Sequence, residues 1–185
     1  MIEYTSFYSP IGNILIAGVK EGVVKISFSN ESPEELENYC QKHLGSEVHQ
    51  GSDFTKYAKQ QILDYLEGKS RSLDFPVIHL NSPFRQKVLE AERNIPYGET
   101  RSYGEVAKMV NNPRASRAVG SANAENPLPL YFPCHRIITS NGKLGGFGGG
   151  LNVKQFLLDL EDRNRLSPIK GSKPMKGFTS RLACP

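Results

Sequence analysis

Cysteine is scarce in this chain, with three residues among 185, at positions 40, 134 and 184. That is too few and too scattered for a disulfide framework, and it fits a reducing compartment in which a thiol stays available. No apolar run approaches the length needed to span a bilayer. The opening Met1-Ile2-Glu3-Tyr4 has neither the basic start nor the apolar stretch of a secretory leader, so a soluble, intracellular protein is expected. The glycines at 145, 146 and 148–150 follow no long strand and lead into no Lys-Ser/Thr pair, which excludes the phosphate-loop and dinucleotide patterns. Metal ligands are sparse as well. Cys40 and His43 stand at helical spacing, with His49 and His79 farther off, but a structural zinc needs four convergent ligands. Cys40 and His43 therefore read as part of a surface helix, and no metal is expected.

Negative charge is lacking in one half only. Residues 1–80 carry 7 Lys+Arg against 11 Asp+Glu, a balance of −4, whereas residues 81–185 carry 16 against 8, a balance of +8. Only the second half is suited to an anionic partner, through salt-dependent attraction to phosphates.

What is present centres on residues 126–151, NPLPLYFPCHRIITSNGKLGGFGGGL. Prolines at 127, 129 and 133 fix their own φ and hold their predecessors extended, a stiff approach to Cys134. His135 and Arg136 follow at once. A lone cysteine is ordinarily a buried structural thiol, but a base and a cation beside it are what a thiolate nucleophile requires. Residues 137–139 read as a short strand, 140–142 as a turn, and the glycine-rich run as a loop that a ligand can approach closely.

Elsewhere the pattern is α+β. Strands are expected at 4–8, 13–19 and 23–28 in a meander, then a helix capped by Ser32 and running to Leu44, and a second helix from Asp53 to Gly68 with Phe54, Tyr57, Ala58, Ile62, Tyr65 and Leu66 on one face. The proline-bounded segment FPVIHLNSP marks a boundary: 1–76 as one domain, 77–82 as linker, 83–166 as a second domain and 167–185 as a flexible basic tail, with Cys184 a bystander. In the second domain, helices are expected at 83–93, at 103–110 behind a Ser102/Glu105 capping box, and from about 114 to 123, after the break at Asn111-Asn112-Pro113. The last two form a helix-turn-helix, and Arg114, Ala115 and Arg117 open its second helix. A final helix, 152–163, carries Val153, Phe156, Leu157 and Leu160 as its apolar stripe.

Taken together, Asn126-Pro-Leu-Pro, Pro133-Cys134-His135-Arg136, Gly149-Gly150-Leu151 and the helix ending at Glu161 resemble the O6-alkylguanine-DNA alkyltransferase family. Tyr97 to Tyr103 and Ser116 to Gly120 extend the match, which covers about residues 83–162. The resemblance implies a ribonuclease-H-like α/β domain followed by a winged helix-turn-helix-like catalytic domain. It implies direct reversal of DNA damage: irreversible, single-turnover transfer of the alkyl group from O6-alkylguanine, and from O4-alkylthymine, to Cys134, with no cofactor. The partner would be double-stranded DNA, bound through the minor groove by a monomer with the damaged base flipped out, in the cytoplasm of a prokaryote or the nucleus of a eukaryote.

By the same resemblance, the catalytic group is Cys134, His135, Glu161, Tyr103 and Asn126. His135 takes the thiol proton through a water, Glu161 orients His135, Tyr103 crowds the phosphate and serves the leaving base, Asn126 braces the turn, and Arg136 anchors local structure. Arg117 is the finger that fills the place of the flipped nucleotide, and Tyr103, Gly104, Arg85, Asn112, Ser140, Arg114 and Ala115 are the other DNA contacts. Ile137, Phe147, Gly148 and Asn123 line the pocket, with backbone N–H groups near Ile137 and Gly148 offered to O6. Phe147, Gly148 and Asn123 depart from the residues usual in the family, which leaves the alkyl-size preference open. A non-catalytic sensor of alkylated DNA and an alkyltransferase for another alkylated purine are the alternative functions. A turnover cysteine hydrolase would have no use for Arg117.

Overall fold

The computed structural model describes residues 1–166; the expected basic tail with Cys184 lies outside the described residues. The chain opens with strands β1 (Ile2–Ser9), β2 (Gly12–Val19) and β3 (Gly22–Ser27), followed by helix α1 (Pro33–Leu44), a short strand β4 (Val48–Gln50) and helix α2 (Lys56–Leu66). The sheet order is β3-β2-β1-β4, antiparallel except for the parallel β1/β4 pair. β2 is buried on both faces, and its side chains alternate between two cores. Ile14 and Ile16 join a core roofed by Ala58, Ile62, Tyr65 and Leu66 of α2, while Leu15 and Ala17 join one roofed by Leu36 and Cys40 of α1.

Three expectations need correction here. Cys40 is not a surface residue: it is fully buried among Ile2, Leu15 and Leu36, and of the pair His43 alone is exposed. Helix α2 starts three residues later than expected, leaving Phe54 ahead of it and Tyr57 pointing outward with 56% of its surface exposed. Residues Ala58, Ile62 and Tyr65 keep the i, i+4, i+7 spacing, and Tyr57 stands a third of a turn away. Strand β4 was not expected, because its three residues show no apolar alternation.

The second half consists of α3 (Pro83–Arg93), β5 (Arg101–Ser102), α4 (Tyr103–Met109), α5 (Ser116–Ala124), a single 3-10 turn at Cys134–Arg136, β6 (Ile137–Ile138) and α6 (Leu151–Asn164). The capping box at Ser102 and Glu105 is formed, with Glu105 N–H donating to Ser102 Oγ at 3.2 Å and Ser102 N–H to the Glu105 carboxylate at 2.7 Å. Helices α3, α4 and α5 pack around Val88, Val106, Ala107, Val119 and Ala122. β5 pairs in parallel with β6, which ties the start of α4 to the end of the Cys134 turn. The two halves meet where Ile26 N–H of β3 donates to Pro127 O at 2.8 Å, so the first sheet holds the approach to Cys134 directly.

Candidate active site

The proline-rich approach does not run extended into Cys134. Leu130 adopts φ 72°, a left-handed conformation that a branched side chain takes only when its surroundings impose it. Here Leu128, Leu130 and Phe132 are all buried in the shared core. The chain then closes into the 3-10 turn, with Cys134 N–H donating to Phe132 O at 2.8 Å. Asn126 bridges this bend: its Nδ2 donates to Phe132 O at 3.0 Å and to Cys134 Sγ at 3.3 Å, and its Oδ1 accepts from Leu128 N–H at 3.0 Å.

The turn sends His135 and Arg136 to the same carboxylate. His135 Nε2 lies 2.6 Å from Glu161 Oε1, and Arg136 Nε lies 2.9 Å from Glu161 Oε2. Arg136 also donates to Ile95 O at 2.6 Å, and Gly98 N–H donates to Glu161 Oε2 at 2.8 Å. Tyr65 of α2 contributes its hydroxyl to Glu161 from the first half of the chain. Burial raises the Glu161 carboxyl, but the hydrogen bond from His135 and the charge and hydrogen bonds of Arg136 outweigh it and bring Glu161 down to about 2. Burial lowers His135, so the ring is neutral. A neutral ring that donates from Nε2 to Glu161 keeps its lone pair on Nδ1, and that atom is buried without a protein partner. Burial, and next the Glu92 carboxyl, push the Cys134 thiol up to about 12. At rest the sulfur is a thiol, and a base must take its proton before it can act.

Cys134 opens onto a cavity of about 270 Å³ lined by Tyr103, Gly120, Asn123, Ala124, Gly146, Phe147 and Gly148. A second cavity, of about 300 Å³, shares Cys134, Asn123, Phe147 and Gly148 and reaches Lys25, Phe28 and Asn30 of the first half. Gly145 sits at φ 70°, and a Cβ there would stand 3.0 Å from the Tyr103 hydroxyl, so a side chain at this position would be strained.

Of the expected pocket residues, Asn123, Phe147 and Gly148 line the cavity and Ile137 does not. Ile137 is fully buried in the α3–α5 core, and its N–H is taken by Cys134 O, so it is not a free donor for a ligand. Arg114, Asn112 and Arg117 are exposed around the start of α5, Gly104 and Ala115 are half-buried there, and Ser140 is exposed on the turn after β6. Arg85 is already paired with Glu125. The N-terminus of α5 carries no side-chain cap.

Three buried polar residues went unread in the sequence. Tyr65 passes for one more member of an apolar stripe. Lys154 is fully buried and donates to Ile137 O at 2.5 Å, Gly146 O at 3.2 Å and Leu144 O, holding the glycine loop against the Cys134 turn. Its signal was the spacing of Lys154, Leu157 and Glu161, which places all three on one face of α6. Glu92 is fully buried one turn after Val88 on α3, with its carboxylate against the Asn123 amide.

Similarity to known proteins agrees with this arrangement. The chain is 42% identical over 158 residues to the methylated-DNA–protein-cysteine methyltransferase of Methanosarcina acetivorans, covering 85% of this chain and 97% of that protein. It is 36% identical over 162 residues to the constitutive enzyme of that name from Bacillus subtilis, covering 87% and 96%. A crystal structure of Mycobacterium tuberculosis OGT in complex with DNA superposes with a TM-score of 0.77 at 35% identity, over 88% of this chain and 94% of that one. Residues 2–78 match the family model for the ribonuclease-like domain of 6-O-methylguanine DNA methyltransferase, residues 83–163 match the model for its DNA-binding domain, and the chain belongs to that family.

Proposed function

We propose that this chain repairs DNA by direct reversal, transferring the alkyl group of O6-alkylguanine to Cys134 in a single, irreversible event. The observation that carries this reading is Cys134 at the floor of a base-sized cavity, beside a neutral His135 whose Nδ1 is unpartnered and whose Nε2 is bound to ionised Glu161. The Cys134 proton passes to His135 Nδ1 through a water. The sulfur attacks the alkyl carbon, the carbon–O6 bond breaks, and the electron pair leaves with guanine, which Tyr103 serves as proton donor. Glu161 stabilises the imidazolium. The thioether has no second nucleophile to remove it, so each chain acts once.

DNA is the partner, and we read its mode of binding from α5. Arg117, Gly120, Asn123 and Ala124 follow i, i+3, i+6, i+7 spacing, which puts an exposed arginine and the cavity wall on one helix face. The uncapped start of α5, with Arg114 beside it, offers free N–H groups and a cation to a phosphate. A base inside a stacked duplex cannot reach Cys134, so it must flip, at a cost of about a few kcal/mol that is smaller for a damaged pair. Arg117 then occupies the gap from the minor-groove side.

Intact-mass measurement after incubation with duplex DNA containing O6-methylguanine tests this. The wild type is expected to gain one methyl group and then stop with substrate in excess, and Cys134→Ser to gain nothing. Wild-type protein that binds the lesion and stays unmodified would refute transfer.

A further inference from the structure

Glu92 is a carboxyl group in the interior that the transfer chemistry does not use. It projects from α3 at the position after Val88 and Leu89 where an apolar side chain would complete the stripe. The groups that face it are Asn123 from α5, Lys154 from α6, Cys134 from the 3-10 turn and Tyr103 from α4. Lys154 is committed to three backbone carbonyls. The Asn123 amide makes the close contact, with one of its two terminal atoms 3.0 Å from Glu92 Oε2 and touching Oε1 as well. Asn123 is also a wall of the cavity that holds Cys134.

An amide has one donor end and one acceptor end, and only one can face Glu92 at a time. If Glu92 is ionised, both its oxygens accept, so the amide NH2 must face it and the amide oxygen faces the other way. If Glu92 is protonated, its O–H can donate to the amide oxygen, and the NH2 is then free for the cavity. We propose that Glu92 and Asn123 form a proton-gated pair that determines whether the pocket wall beside Cys134 presents a hydrogen-bond donor or an acceptor to the bound base. Resting on the alkylguanine reading above, the donor state is the productive one: O6-alkylation leaves N1 without its hydrogen, so the ring edge consists of acceptors apart from the exocyclic amine. Burial raises the Glu92 carboxyl to about 8, against the opposing pull of Asn123 and Lys154, so the donor state prevails near neutrality. Losing that proton has a second consequence in the same direction, since an ionised Glu92 opposes formation of the Cys134 thiolate. Glu92 is thus a positioning residue that acts through Asn123.

Two readouts test this. In the free protein, the side-chain amide proton and nitrogen resonances of Asn123 should shift with a midpoint near pH 8 in the wild type and stay fixed in Glu92→Gln, which cannot ionise. Single-turnover transfer from O6-methylguanine duplex should show a falling limb through the same midpoint in the wild type alone. The ratio of the Glu92→Gln rate to the wild-type rate should then rise about tenfold across that limb, the effect of one hydrogen bond misplaced at a buried site. Asn123 resonances that do not titrate, or a Glu92→Gln profile that follows the wild type, would overturn the pair. If Glu92→Gln fails to fold, the wild-type titration decides alone. Wild-type protein that titrates as expected yet transfers no methyl group would refute the alkyltransferase reading and leave the pair standing.

Discussion

Glu161 gathers His135, Arg136, Tyr65 and the Gly98 N–H onto one carboxylate that is fully buried. An anion there is tolerable only because Arg136 shares the site, and the converse holds for Arg136. Glu161→Gln is therefore expected to cost on the order of 3 kcal/mol in urea unfolding, because it strands a buried guanidinium. The pH dependence has a definite sign. A carboxyl depressed to about 2 stabilises the fold fully above its unfolded value and loses that contribution as pH falls through about 4 towards 2. Wild-type stability should drop over that window more steeply than that of Glu161→Gln, which has no such group to titrate. Equal slopes would mean that the carboxylate is not the ionised partner of Arg136. At this scale the PCHR motif made Cys134 and His135 legible, while Glu161 was legible only through the family resemblance, because a helical glutamate by itself reads as a surface residue. Lys154 and Glu92 were not, because a charged residue within a helix reads as solvent-facing unless its companions on that face are counted. Tyr65 was hidden by the opposite rule, as an aromatic among apolar neighbours reads as core.

Helix α5 shows how one element links surface to site. Its buried face, Val119 and Ala122, packs on the α3–α4 core, and the neighbouring face runs from exposed Arg117 to Gly120, Asn123 and Ala124 at the cavity. Gly120 faces the Tyr103 ring, and a Cβ there would stand 3.8 Å from it, in ordinary contact. Because Arg117 is exposed and outside the packing, Arg117→Ala should leave the melting temperature within about 2 °C of wild type. It should slow transfer from duplex DNA about tenfold or more while leaving transfer from the free alkylated base unchanged, since only the duplex requires a gap to be filled. Equal slowing on both substrates would place Arg117 in the chemistry instead. The helices were legible because capping boxes and prolines announce their ends. The three-residue β4 was not, with His49 and Gln50 exposed and pairing supplied by β1 rather than by any local pattern.

Across the whole molecule, the proline-bounded segment marks a domain boundary, and the packing joins the two sides across it. Ile14, Ile16, Ile26, Phe28, Ile62 and Tyr65 from before that segment share one core with Leu89, Leu128, Leu130, Phe132 and Leu157 from after it. Even the segment itself is stitched to the sheet, with Val23 N–H donating to Pro76 O and Ile78 N–H to Val23 O, both at 2.9 Å. Prolines mark where a chain changes course, and they carry no information about which surfaces meet afterwards. Each of Leu128, Leu130 and Phe132 would forfeit about 2 kcal/mol of burial if the first half were removed, and Glu161 would lose Tyr65. A sum of that size rivals the entire stability of a small domain. The intact chain should therefore melt in one calorimetric transition, with calorimetric and van't Hoff enthalpies equal. A fragment of residues 83–166 alone should fail to give a cooperative transition at the same temperature. Two resolved transitions in the intact chain would show that the halves fold separately and that the Cys134 turn does not depend on the sheet beneath it.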